Sequence, residues 1–307
     1  MPNHLNRRQM LRATLAASAC GMISLNRATT AAAIEPIARP GKPKFKFSLA
    51  AYSYRDLLSG KSPKLTLDDF IRDCAALQLE GTELTSYYFP ADVTPDELRR
   101  YKQLAFQLGL DVSGTAVGND LCHPPGEARD KQIALVKKWV DNAAILGAPV
   151  IRIFSGKVGK GQTPDEAHAL AVAGIEECCD YAGQHGVSLA LENHGGLTTE
   201  PDGLLALVRD VKSRWFGVNV DTGNFHTADP YADLARIAPY ALNVQVKVEM
   251  HPKGGTRAPA DFKRLAKIMA DAGYRGYIVL EYEEKEDPRS ACPRYMDELR
   301  QAFSQVG

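Results

Sequence analysis

Eight short apolar runs begin near Phe45, Thr82, Leu110, Pro149, Val187, Phe216, Leu242 and Gly276. The first and last starts lie 231 residues apart, seven intervals averaging 33, and amphipathic patterns fill the gaps. One strand–helix–strand unit occupies roughly 30 residues, and eight such units suit a closed barrel. The fold class read from this rhythm is α/β, a (β/α)8 TIM barrel. Leu67, Phe70, Ile71, Cys74 and Leu77 share one face of a helix. Thr66, before Asp68-Asp69, reads as an N-cap. Thr94-Pro95-Asp96-Glu97 and Thr163-Pro164-Asp165-Glu166 repeat that signal with proline at the first helical position. Gly109, Gly147, Gly186 and Gly273 each stop a helix just before the next strand. The rival fold is a doubly wound open sheet, which would carry a glycine-rich phosphate turn after its first strand. Tyr52-Ser53-Tyr54-Arg55 has no glycine. No composition break divides 45–305, so residues 45–307 are read as a single catalytic barrel domain, preceded by a linker over 34–44.

Residues 1–33 read as an address. They hold Arg7, Arg8, Arg12 and Arg27, no carboxylate, an apolar run from Ala13 to Leu25, and Ala31-Ala32-Ala33. A charged start, a short apolar stretch and a small-residue end make a secretory signal peptide, and the arginine pair is of the twin-arginine type. The expected location is periplasmic or secreted, by bacterial twin-arginine export. The apolar run is about a dozen residues where a membrane span needs roughly 20, so no span is expected. Without this segment 33 cations face 37 acids. That mildly acidic balance argues against a nucleic-acid partner. Cys74, Cys122, Cys178, Cys179 and Cys292 form no CxxC spacing and read as buried apolar residues.

The strands carry polar residues where a core should be dry. Side chains alternate across a strand. In Asn243-Val244-Gln245-Val246-Lys247-Val248-Glu249 the valines suit the helix layer, and the polar residues point into the barrel or its mouth. The same alternation turns Asn219 and Asp221, Glu281, Glu192, Arg152 and Glu83 inward. Glu192, Asp221, Gln245 and Glu281 fall at the C-terminal ends of the fifth to eighth strands, the active face of barrel enzymes. Three carboxylates and an amide oxygen meeting there call for a cation between them. Oxygen ligands suit one hard divalent ion, Mn²⁺ or Mg²⁺ first, with Co²⁺ or Zn²⁺ as alternatives. An ion-pair network with Arg152 and Lys247 is the other use of the same carboxylates.

Leu191-Glu192-Asn193-His194, Asp221-Thr222-Gly223-Asn224, Val244-Gln245-Val246-Lys247 and Leu280-Glu281-Tyr282-Glu283 resemble the strand ends of the xylose isomerase-like barrel superfamily, also labelled sugar phosphate isomerase/epimerase. Glu83-Leu84-Thr85-Ser86-Tyr87-Tyr88 and Gly114-Thr115-Ala116-Val117-Gly118-Asn119-Asp120 extend the match over nearly all of 45–305. The resemblance implies one divalent ion held by Glu192, Asp221, Gln245 and Glu281. Many members have histidine where Gln245 stands.

Such a site supports a metal-dependent sugar isomerase or epimerase that removes a proton next to a carbonyl through an enediolate. Glu192 and Glu281 resemble the family's paired acid/base residues. Lys247 and His194 are the other catalytic candidates, and Glu83, Arg152, His226 and Asn119 are the substrate-binding candidates. The expected partner is a small sugar or glycoside, with phosphorylation disfavoured by export. Two alternatives stay open: a keto-sugar lyase or hydratase of the 3-keto-glycoside type using the same site, and a carbohydrate-binding barrel without turnover. An endonuclease, which shares this fold, is disfavoured by the acidic balance and the missing histidine-rich zinc cluster.

Overall fold

In the computed structural model, which describes residues 34–306, eight parallel strands close into a barrel. They are β1 (Lys44–Ala50), β2 (Gly81–Glu83), β3 (Asp111–Ala116), β4 (Val150–Ile153), β5 (Ser188–Glu192), β6 (Phe216–Asp221), β7 (Ala241–Val246) and β8 (Arg275–Leu280). Each strand pairs with the next, and β8 closes on β1. Every apolar run in the sequence starts within one residue of its strand. One main helix follows each strand: α1 (Leu67–Ala76), α2 (Pro95–Gln107), α3 (Glu127–Leu146), α4 (Pro164–Gln184), α5 (Pro201–Asp210), α6 (Pro230–Ile237), α7 (Phe262–Asp271) and α8 (Pro288–Phe303). The expected (β/α)8 barrel is the observed fold. A two-stranded ribbon, Glu249–Met250 against Ala258–Pro259, is inserted after β7.

The local signals work as the sequence implies. Thr66, Thr94 and Thr163 each cap a helix, and Asp69, Glu97 and Glu166 return a bond to the cap's own N–H at 2.8 Å. Each such box satisfies two orphan donors. Gly147 ends α3 at φ +79°, a conformation that side chains with a Cβ resist.

Two faces of the same strands meet different surroundings. Ile151, Ile153, Leu189, Leu191, Val244 and Val246 are fully buried in the apolar layer between strands and helices. The alternate positions fill the barrel with polar groups: Ser48, Glu83, Ser113, Asn219, Asn243 and Gln245 are all buried. The β7–β8 register pairs Gln245 with Val279, so Gln245 lies two residues deeper than Glu281.

Residues 34–44, expected as a linker, are tied to the base of the barrel, and Lys44 already belongs to β1. Ile37 N–H donates to the Pro239 carbonyl at 3.0 Å, Arg39 reaches the Ala241 carbonyl, and Arg275 reaches that of Lys42. The signal-peptide reading of 1–33 lies outside the described residues. All five cysteines from Cys74 to Cys292 are buried thiols. Among the described residues no helix is long and apolar enough to cross a membrane.

Candidate active site

Polar groups are stacked in two storeys at the C-terminal end of the barrel. In the lower one, Glu83 accepts from Asn243 Nδ2 at 2.7 Å and from Gln245 Nε2 at 2.6 Å. Gln245 Oε1 accepts from Asn219 at 2.6 Å, and Asn219 Oδ1 accepts from Asn243 at 2.9 Å. This ring satisfies four buried side chains from β2, β6 and β7. Burial pushes the Glu83 carboxyl up to about 7, with the Glu281 charge adding to it. Gln245, expected at the mouth as an oxygen ligand, therefore turns both ends of its amide into the layer below.

The upper storey holds the charges. Arg152 Nε lies 2.8 Å from Glu192 Oε2, and Asn224 Nδ2 donates to Glu192 Oε1 at 2.8 Å. Arg152 also donates to the Val117 carbonyl at 2.9 Å and lies 4.1 Å from the Phe154 ring centroid. The Lys247 ammonium stands 3.3 Å from Asp221 Oδ2 and 2.8 Å from Glu283 Oε1, and also contacts Glu281 Oε2. Asn193 locks the ends of β5 and β6 together, donating to the Asp221 carbonyl at 2.8 Å and accepting from its N–H at 2.9 Å. Asp221, Glu192 and Glu281 are all buried, at 0%, 4% and 5% exposure, so none of these charges is screened by water.

The titrations follow from that burial. Burial tends to lower Lys247, but Asp221, Glu281 and Glu283 outweigh it and hold the ammonium well above the ordinary lysine value. Burial tends to raise Glu281, but Lys247 and Arg152 overcome it and keep the carboxylate low. Burial pushes Glu192 up to about 7 against the opposing pull of Arg152. Asp221 is raised by burial, with Lys247 opposing. His194 is lowered by burial first and by Arg152 second, so at neutral pH its imidazole is uncharged.

Above these groups opens a cavity of about 410 Å³. Its charged floor is Arg152, Glu192, Lys247 and Glu281, and its walls include Tyr52, Tyr87, Phe154 and His194. His194 packs one face on Phe154, the ring centroids 4.5 Å apart. A smaller cavity of about 130 Å³ adjoins it, sharing Asn224, Lys247 and Glu281. His226 lines that smaller space, where its Nδ1 lies 3.1 Å from the His251 carbonyl. Asn119 lines neither cavity. It holds the Phe154 backbone by two hydrogen bonds of 2.8 and 3.0 Å and so positions the ring that Arg152 and His194 pack on. Glu83 sits beneath the cavity in the polar ring.

The structure thus brings Glu192, Asp221, Glu281, Lys247, His194 and Arg152 together and leaves Gln245, Glu83, Asn119 and His226 off the main cavity. Sequence reasoning gave no role to Tyr52, Tyr87, Phe154, Asn224 and Glu283. Four of these stand one to three residues beyond a strand end. Proximity to the active face was a usable signal for them.

The donor chemistry of the mouth fits a hard divalent ion. Asp221 Oδ2 is buried without a hydrogen-bond partner, and Glu192 and Glu281 bring further carboxylate oxygens to the same mouth. Among the described residues no three His, Cys, Asp or Glu stand at metal spacing. The Lys247 ammonium stands between Asp221 and Glu281 instead.

A closed parallel barrel with buried carboxyls around a cavity at its C-terminal mouth defines a TIM-barrel protein with a charged site on its active face. Residues 71–302 match the family model described as the xylose isomerase-like TIM barrel, and the chain belongs to that family. Similar solved structures include a D-psicose 3-epimerase from Clostridium cellulolyticum H10, 15% identical, TM-score 0.70, covering 84% of this chain and 99% of that one. A xylose isomerase domain protein from Planctomyces limnophilus is 17% identical, TM-score 0.67, with coverages of 87% and 99%. A 3-keto-D-glucoside 4-epimerase from E. coli is 15% identical, TM-score 0.63, with coverages of 85% and 100%. At these identities the likeness is one of fold. No curated protein matches the chain.

Proposed function

We propose that the protein is a divalent-metal-dependent sugar isomerase or epimerase that moves a proton on a carbon next to a carbonyl. The observation that carries this is the convergence of buried carboxyls, Glu192 and Glu281 on the floor of a cavity large enough for a sugar and Asp221 beside them against Lys247. The solved structures named as sugar epimerases share the barrel and add support for a carbohydrate substrate. Asp221 and Glu281, with Glu192 beside them, would hold the ion. A bound divalent ion supplies Lewis-acid polarisation of the sugar carbonyl.

The chain's own groups divide the remaining work. Glu281, kept ionised by Lys247 and Arg152, takes the proton from the carbon. Glu192, which burial raises to about 7 against the pull of Arg152, gains and loses a proton near neutrality and returns one to the carbon. Two carboxyls in one site with separated affinities for a proton are the arrangement acid/base chemistry needs. Return to the opposite face of the same carbon inverts it. Return to the neighbouring carbon isomerises the sugar. Lys247 and Arg152 lie within the floor to meet negative charge on the sugar oxygen, and the aromatic walls pack against the C–H faces of the ring. The leader-like composition of residues 1–33 supports an exported protein acting on an unphosphorylated sugar or glycoside.

The test is solvent hydrogen exchange. Incubated with Mn²⁺ and candidate keto-sugars in deuterated water, the protein should place deuterium at one sugar carbon and leave product mass otherwise unchanged. Glu281→Gln should abolish that exchange. Exchange at the full rate in that variant would remove Glu281 from the proposed role.

A further inference from the structure

We propose that Lys247 is the resident cation of this mouth, and that a divalent ion binds by displacing its ammonium from Asp221 and Glu281. This rests on the proposed reading of the mouth as a metal seat. Asp221 Oδ2 lies 3.3 Å from Nζ, and Glu281 Oε2 is in contact with it. A divalent ion held by the oxygens that now meet the ammonium would compete with it for one place, so the two cations would exclude each other. With Glu192 already paired to Arg152 at 2.8 Å, Asp221 and Glu281 are the carboxyls left in the mouth to meet a divalent ion.

The mouth is built around this lysine. Gly223 leaves the space its stem fills: a Cβ there would lie 2.5 Å from Lys247 Cγ and 2.8 Å from its Cβ. Thr222 Oγ1 accepts from the Lys247 N–H at 2.9 Å and fixes where the stem begins. An exit is also present. Glu283 Oε1 lies 2.8 Å from Nζ on the cavity rim, with its side chain 40% exposed, and the Tyr52 ring centroid is 5.9 Å from Nζ. An ammonium pushed off Asp221 and Glu281 therefore keeps a countercharge and an aromatic face at the rim, where it faces the substrate. In the metal-free chain Lys247 keeps the carboxylates from repelling one another, and in the loaded one it becomes a group for the sugar oxygens.

The experiment is calorimetric titration of metal-stripped full-length protein with MnCl₂, alongside thermal melts with and without the metal. The proteins are wild type, Lys247→Met and Lys247→Gln, the second securing the result if the first does not fold. Both variants should bind Mn²⁺ at least tenfold more tightly than wild type. Both should melt lower than wild type without metal and gain more from Mn²⁺. Equal or weaker binding in the variants, with wild type still binding, would overturn the exchange and leave the metal reading standing. Absence of Mn²⁺ binding in all three proteins would overturn the metal reading and this inference with it.

Discussion

Replacing Arg152 by methionine keeps the stem and removes the guanidinium that neutralises Glu192 inside the barrel. The arginine is 5% exposed and Glu192 is 4% exposed, so water cannot compensate either charge. The change deletes the 2.8 Å pair with Glu192, the 2.9 Å bond to the Val117 carbonyl and the contacts with the Tyr87 hydroxyl. Removing one partner of a buried pair costs about 3–5 kcal/mol, because the other charge is left desolvated. For a barrel of this size about 4 kcal/mol corresponds to roughly 7 °C in melting temperature. The assay is urea and thermal unfolding followed by circular dichroism on metal-free protein, for Arg152→Met, Glu192→Gln and the double variant. Once Glu192 is neutral the arginine has less to balance, so the double variant should be more stable than the summed losses predict by about 2 kcal/mol, within the range of coupled neighbours. A loss below about 1 kcal/mol in Arg152→Met, or additivity within about 0.5 kcal/mol, would refute the claim that this pair is closed to water and mutually dependent.

Two further outcomes follow from named contacts. Glu83 is raised by burial to about 7, so between pH 4.5 and 7 the folded chain binds a proton that the unfolded chain has lost. Its contribution is therefore full at low pH and falls as pH rises toward 7, by on the order of 3 kcal/mol. From pH 5 to 8, in the presence of chelator, Glu83→Gln should lose less stability than wild type by about that amount, and parallel urea profiles would contradict it. Gly223→Ala places a methyl group 2.5 Å from Lys247 Cγ. Overpacking of this kind costs about 1–3 kcal/mol, and solvent exchange on the sugar should fall at least tenfold while circular dichroism is retained. Wild-type exchange in that variant would mean that the position of the lysine stem does not matter.

The barrel was legible because its signals are local. A threonine three residues before an acid, a glycine at a helix end and a strand of alternating valines each act within a few positions, and signals of this kind punctuate a strand–helix unit that recurs eight times. The inward direction of Glu192, Asp221 and Glu281 was legible too, since alternation fixes which face a side chain takes. How far along the barrel each inward group stands was not. Gln245 and Lys247 share a face of the β7 run. The register to β8 sends Gln245 down to Glu83, 162 positions away, and leaves Lys247 level with the carboxylates. The cavity walls were missed for a related reason. Tyr52 and Tyr87 sit on single 3₁₀ turns and Phe154 in a loop, segments too short for periodicity, and they meet only because the barrel closes.

By itself the sequence determined the repeating βα unit, the closure that eight such units permit, and the set of oxygen-bearing residues at the strand ends. Backbone capping and side-chain alternation need only neighbours along the chain. Tertiary structure alone decided which of those residues share a storey, that Asn119 serves Phe154, and that an ammonium stands among the carboxylates. The partner that satisfies a buried charge comes from another strand, and only the closed barrel brings the two within reach.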